Sequence, residues 1–226
     1  MKSDWPSPVD AKSLRARFDR TEAVTFGLEE EIMVLDPSTL DLLACGPVLL
    51  EGLDRRFKPE LPAAHIEIAS SPHTRIDDLA VEMRECRRML AGHVGTRARL
   101  AVAGVHPFSA RSGAVNSGDR YARMLAEYGD VLRQQLVCGL HVHVGLAGAD
   151  RTLGVYNAMR SWLPELAALA ANAPVHCGRD TSMASVRPLI SGLLPRQGMP
   201  PPLSSWQEYA DHLNSGMSVG RLGRPG

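Results

Sequence analysis

The run VTFGLEEEIMVLD, residues 24–36, places three consecutive glutamates inside a segment that otherwise reads as a strand. Side chains alternate along a strand, so Glu29 and Glu31 share one face and Glu30 points to the other. Two carboxylates about 7 Å apart on one face repel each other where the dielectric is low. A chain built around this strand has two solutions. It can leave the acidic face in water as an edge strand, where charge deters aggregation. Or it can bring cations to the face, and oxygen ligands of this kind suit Mg2+ or Mn2+.

The other periodic segments set the fold class. AAHIEIA, residues 63–69, alternates with Ala64, Ile66 and Ile68 on one face and His65 and Glu67 on the other. A helix is predicted next, with Thr74 as N-cap and Asp77 and Asp78 in its first turn. Leu79, Met83, Cys86, Leu90 and Val94 form its apolar stripe, and Arg84, Glu85, Arg87 and Arg88 its solvated face. LAVAGVH, residues 100–106, reads as a buried strand, and a second helix is expected over 119–135. CGLHVHVGL, residues 138–146, alternates strictly and reads as a strand. A third helical region covers about 151–172, where Pro164 should kink or split it. The stretch from 188 is rich in Pro, Gly and Ser and reads as a loop, before a short helix over 206–213. Residues 38–62 carry no usable period. Strands with one polar face, interrupted by long helices, predict an α+β fold: a curved, mainly antiparallel sheet backed by helices. The expected organisation is a lead-in over 1–22, a main domain over 23–213 and an irregular tail over 214–226.

Several function classes are disfavoured. The 25 Lys and Arg balance the 25 Asp and Glu, so the chain carries no general electrostatic footprint for nucleic acid or an anionic membrane. MKSDWPSPVD does not read as a secretory signal, and the longest apolar stretch falls well short of the ~20 residues that span a bilayer. The four cysteines are far apart with no CxxC pair, which argues for reduced thiols in a cytoplasmic protein. No GxxxxGK[ST] and no GxGxxG after a strand is present, so nucleotide phosphates would have to be held by metal and side chains.

The HxH strand is the second candidate element. Gly139, His141, His143 and Gly145 share the face opposite Cys138, Leu140, Val142 and Val144. Two imidazoles flanked by small residues leave room for a ligand, and they could coordinate metal or donate to phosphate. An HxH also occurs in cupin-type metal barrels, but those supply a glutamate a few residues on, and here the next is Glu165 on a predicted helix. NAPVHCGRDTSMASVR adds Arg179 and Arg187, whose guanidinium forks suit carboxylate or phosphate.

GLEEE, HIEIASSP, CGLHVHVG and GRDTSMASVR, in this order, closely resemble the bacterial glutamate–cysteine ligase type 2 family, which is similar in turn to glutamine synthetase. The resemblance runs from about Thr21 to Tyr209. It implies a carboxylate–amine ligase that uses ATP with Mg2+ or Mn2+, acting on small molecules: glutamate, and cysteine or another amine. The expected product is γ-glutamylcysteine, formed through an acyl phosphate, a step of glutathione-type biosynthesis. By this resemblance Glu29, Glu31 and Glu67 are metal-site acids and His141 lies near metal and phosphates. His143 lies near the nucleotide, and Arg187 and Arg179 face the acidic substrate. Glu29, Glu31 and Arg187 carry the catalytic expectation. Family members are often homodimers. They also run beyond this chain's length, with further strands, a metal-site glutamate and arginines, so the fold expected here is a glutamine synthetase-like catalytic domain lacking its C-terminal strands. A non-catalytic remnant that binds Mg–ATP or a partner subunit is the alternative.

Overall fold

The computed structural model describes residues 8–20, 23–195 and 197–218. They belong to two compact units. The larger comprises Thr25–Val144 and Ala168–Leu194, and the smaller Met1–Val24, Gly145–Ala167 and Pro195–Gly226.

The larger unit is built on a five-stranded sheet. Its strands are β1 (Thr25–Leu35), β2 (Phe57–Pro59), β3 (His65–Ala69), β4 (Arg99–Ala101) and β5 (Leu140–Gly145). The order is β2-β3-β1-β4, with β5 also pairing β1. The β1–β3, β1–β4 and β2–β3 pairs are antiparallel. The glutamate strand is therefore central, and the edge-strand solution is excluded. Short helices α1 (Ala11–Asp19) and α2 (Gly46–Leu49) precede the long α3 (Ile76–Val94).

Alternation along β1 and β3 puts Ile32, Val34, Ile66 and Ile68 on the face that α3 covers. The α3 stripe of Leu79, Met83, Cys86, Leu90 and Val94 is buried against them, as its helical spacing predicts. The helix starts later than expected. Arg75 is the extended N-cap residue and makes no side-chain cap, so the Thr74 cap is not formed. Asp77 and Asp78 occupy the first turn and suit the positive end of the helix dipole. The expected solvated face of α3 needs one correction. Arg87 turns back to the sheet and holds the Glu30 carboxylate through two bonds, Nε to Oε2 at 2.6 Å and Nη2 to Oε1 at 2.7 Å.

Other elements differ from the sequence expectation for local reasons. The strand predicted over 100–106 leaves β1 after Ala101, and Val102 is exposed. Beyond that point Val105 bridges Val137 and the Cys138 N–H bonds to the Gly104 carbonyl. The helix predicted over 119–135 is α4 (Asp119–Tyr128). Gly129 then takes φ +60°, a left-handed value that ends α-helices, and a 3-10 turn continues to Gln134. Residues 175–180 form a hairpin of β6 (Val175–His176) and β7 (Arg179–Asp180). Cys177 and Gly178 between them both have positive φ, the signature of a type I′ turn. The loop predicted from 188 instead begins with α7 (Arg187–Ser191), because Pro188 sits in the first turn, where a missing N–H costs nothing.

The smaller unit contains α1, α5 (Ala149–Met159), most of α6 (Leu163–Leu169) and α8 (Trp206–Ser218). Leu14, Ala149, Trp206 and Ala210 form its core, with Phe18 packed against Trp206. The Asp19 carboxylate accepts from the Ala149 N–H and caps α5 from outside. A 3-10 turn over Arg160–Trp162 separates α5 from α6, whose second residue is Pro164; the expected split is present. The last helix passes the expected end at 213 and reaches Ser218, while 1–7, 21–22 and 219–226 of the expected lead-in and tail lie outside the described residues. Among the described residues no helix is long and apolar enough to cross a membrane.

Candidate functional site

The face of the sheet away from α3 is acidic at one end and apolar at the other. Met33 and Leu35 are buried under Cys138, Leu42, Ala101 and Ala103. Towards the start of β1 the same face carries Glu31 and Glu29. Register sets Glu31 opposite Glu67 on β3, and Glu67 opposite Lys58 on β2. Glu60, just past β2, completes a group: Glu31, Glu60 and Glu67 each offer an oxygen, all within 4.8 Å of one another.

This carboxylate group is electrostatically costly. Burial raises the Glu31 carboxyl above its usual pKa and Glu60 adds to it, while the Gly139 N–H, 2.7 Å from Oε2, works the other way. Burial also raises Glu60, and Glu67 adds to that. The Lys58 ammonium reaches Glu67 at 3.1 Å but is about half exposed, where an ion pair contributes little. The Arg187 charge also favours the Glu31 carboxylate and the Arg120 charge that of Glu60, but burial outweighs both.

The second group lies one position pair along β1. Glu29 Oε2 is 3.2 Å from His141 Nδ1 and 3.0 Å from His143 Nε2. These three residues also offer ligand atoms within 4.8 Å of one another. Burial works against the Glu29 carboxylate, but the bonds with His143 and His141 outweigh it and leave its pKa below the usual value. The two histidine side chains are 48% and 58% exposed. Their strand departs from expectation. Leu140, Val142 and Val144, predicted as a buried apolar face, are 60%, 63% and 50% exposed, so β5 is open on both faces among the described residues.

Gly139 is where the pieces approach most closely. A Cβ there would meet His141 Nε2 at 2.8 Å, Arg187 Nη2 at 3.2 Å and Glu31 Oε1 at 3.3 Å. Gly139→Ala is expected to push the His141 ring away and to weaken Mn2+ binding by roughly tenfold, the low end for disturbing a ligand's support, with little change in thermal midpoint. Calorimetric titration with Mn2+ measures it, and unchanged affinity would remove Gly139 from the site.

Arg187, the first residue of α7, donates from Nε to the Cys138 carbonyl at 2.6 Å, which holds its other nitrogens toward Glu31. Arg179 is placed differently. It is exposed on β7, and no hydrogen bond or ion pair joins it to the acidic groups among the described residues. Glu29, Glu31, Glu67, His141, His143 and Arg187 are thus brought together, and Arg179 is not. Glu60 was missed because it lies outside the alternating strands; its signal is only an acid next to Lys58 and Pro59.

His65 shares the Glu67 face but is fully buried. Its Nδ1 is 3.8 Å from Cys138 Sγ, and its Nε2 has no partner. Burial, helped by His106, lowers its pKa to about 4.

The family model described as glutamate–cysteine ligase family 2 matches residues 25–222. A Rubrobacter xylanophilus protein with the provisional name glutamate–cysteine ligase 2-3 is 35% identical over 92% of this chain and 60% of its own length. A Saccharopolyspora erythraea protein, provisionally glutamate–cysteine ligase 2-1, is 38% identical over 82% of this chain and 50% of its own length. The chain thus spans about half to three fifths of the length of these relatives. Two solved structures share the fold at low identity. Glutamate–cysteine ligase from Francisella tularensis, in complex with AMP, matches with a TM-score of 0.55 at 12% identity, over 74% of this chain and 42% of that one. A bifunctional glutathione synthetase from Pasteurella multocida matches at 0.56 and 14%, over 73% and 25%.

Proposed function

The chain belongs to glutamate–cysteine ligase family 2, and from that premise we propose that residues 23–213 carry the metal- and nucleotide-binding part of an ATP-dependent carboxylate–amine ligase. The observation that carries this reading is the pair of ligand groups side by side on one sheet face, Glu31–Glu60–Glu67 and Glu29–His141–His143. The donor chemistry fits divalent cations. Three carboxylates suit Mg2+ or Mn2+, and two imidazoles with one carboxylate take a softer divalent ion than Mg2+, which among these two is Mn2+. When bound, such ions screen phosphate charge and act as Lewis acids.

The proposed reaction joins glutamate to cysteine. The γ-carboxylate of glutamate attacks the terminal phosphorus of ATP; an O–P bond forms, the bond to ADP breaks, and an acyl phosphate results. The cysteine amine then attacks the acyl carbon, releases phosphate and loses a proton, leaving γ-glutamylcysteine. This chain's residues contribute position and charge. Glu29, Glu31, Glu60 and Glu67 would hold the cations, His141 and His143 would lie beside the nucleotide phosphates, and Arg187 would face the anionic substrate. In-line positioning and charge stabilisation supply most of the acceleration in phosphoryl transfer. The proposal leaves Arg179, which points away from these groups, without a role, and it places the protein, with its free thiols, in the cytoplasm.

The test is phosphate release from Mg–ATP by the purified chain, with glutamate present and cysteine added or withheld. Cysteine-dependent release with a matching γ-glutamylcysteine product is the expected result. Glu67→Gln should abolish it while leaving thermal unfolding intact. A second reading, Mg–ATP binding without turnover, is favoured by the openness of β5, since acyl phosphates survive where water is excluded. Nucleotide binding with no product would select it.

A further inference from the structure

Glu60 is the member of the two ligand groups that no strand places. It follows β2, which ends at Pro59, and the chain then turns through Leu61 and Pro62 towards β3. The segment before α4 lies along this turn. Pro62 bridges Val115, and the Ala63 N–H donates to the Ala114 carbonyl at 2.9 Å. Three successive carbonyls of the turn receive donors from the same side. Pro59 accepts from the Tyr121 hydroxyl at 3.1 Å, Glu60 from the Asn116 side-chain amide, and Leu61 from the Asn116 N–H at 3.1 Å. Asn116 is buried. A carbonyl oxygen only accepts, so the nitrogen of the Asn116 amide is the atom that faces Glu60.

The Asn116 bond reaches the Glu60 carboxylate through one rigid unit. The peptide joining Glu60 to Leu61 is planar, so its carbonyl and its N–H point in fixed, opposite directions. Asn116 holds the carbonyl, and the Leu61 N–H bonds to the Glu60 carboxylate. Rotation of this peptide would swing the N–H, and the carboxylate with it, away from Glu31 and Glu67. Tyr121 fixes the preceding carbonyl. Burial and then the Glu60 charge raise its hydroxyl above the usual pKa, which places the ring beside the same acid.

We propose that Asn116 is a positioning residue for the all-oxygen ligand group, holding Glu60 against Glu31 and Glu67 through the Glu60–Leu61 peptide, with Tyr121 as the outer anchor. Glu31 and Glu67 need no such device, because the β1–β3 ladder sets their direction. The inference rests on the metal reading of the group and deepens it. With Glu60 displaced, three carboxylates become two, and a hard cation loses an oxygen ligand.

The experiment is calorimetric titration of the full chain with Mn2+, at a temperature where circular dichroism shows each variant folded. The parent, Asn116→Ala, Glu60→Gln and the double variant are compared. Asn116→Ala should weaken one Mn2+ binding step by roughly tenfold or more, the range for losing a ligand's support, and leave the step at the histidine group unchanged. Glu60→Gln should weaken the same step. Adding Asn116→Ala to Glu60→Gln should then cost nothing further, since the ligand it positions is gone. Tyr121→Phe keeps the ring and removes only the donor, and should weaken that step about threefold, one neutral hydrogen bond's worth. It decides the matter if Asn116→Ala does not fold. Parent-like affinity in the folded variants, or losses that add in the double variant, would overturn this inference and leave the metal reading standing. A parent that takes up no Mn2+ would overturn both.

Discussion

Arg87→Ala is expected to lower the unfolding free energy by about 3 kcal/mol, the lower end for breaking a buried ion pair from one side. The Glu30 side chain is only 7% exposed and its carboxylate receives two bonds from this guanidinium. Removing the guanidinium leaves a charge facing α3 beside the Ile32–Val34 core, with its desolvation uncompensated. Arg87 itself is about half exposed, so water can reach part of the vacated space, which is why the lower end applies. Replacing both residues by methionine should restore most of the loss, because no charge is then buried. Urea denaturation of the parent and the two variants measures this. A loss below 1 kcal/mol for Arg87→Ala would mean the pair is a surface contact with no structural weight.

Acidification is expected to weaken the fold through His65. Its folded pKa is about 4, against an ordinary value near 6.5. The unfolded chain therefore binds a proton that the folded chain refuses between those values. The stabilisation is complete above about pH 6.5 and is lost as pH falls towards 4, on the order of 3 kcal/mol across the whole window. Glu31 and Glu60 run the other way: their carboxyls are raised, so the folded state gains relative stability as they protonate. The measurement is therefore a difference, unfolding free energy against pH for the parent and for His65→Gln. The parent should lose more than the variant between pH 7.5 and 4.5. Parallel curves would show that the buried ring does not resist protonation.

What could be read beforehand divides along periodicity. The α3 stripe at 79, 83, 86, 90 and 94 is buried throughout, because a helix repeats its face and the pattern states which side is dry. The pairing of Glu29 with Glu31, and the opposite direction of Glu30, followed from strand alternation alone. That Glu30 would find Arg87 did not follow, since α3 presents several charges and only packing selects one. Glu60 stands outside any repeat, and an acid between two prolines looks like any turn residue. The alternation of β5 was read as one dry face, but alternation fixes only that the faces differ; what covers them is decided by neighbouring chain. Arg179 and Arg187 looked equivalent in sequence. A type I′ turn carries the first outwards, and the start of α7 points the second at Gly139.

The two ligand groups close loops of very different length, and this orders their assembly. Glu31, Glu60 and Glu67 lie within one short antiparallel excursion, complete once β1, β2 and β3 have paired. His143 meets Glu29 across 114 positions, so that contact waits for β5. Loop closure grows more costly with length, by ~0.6 kcal/mol for each doubling, and during synthesis β5 emerges long after the first three strands. The all-oxygen group is therefore expected to form on a nascent chain before the histidine group does. On the proposed metal reading, a hard cation would meet the carboxylates while the imidazoles are still unplaced, and the strand that brings them would arrive at a surface whose charge has already been answered.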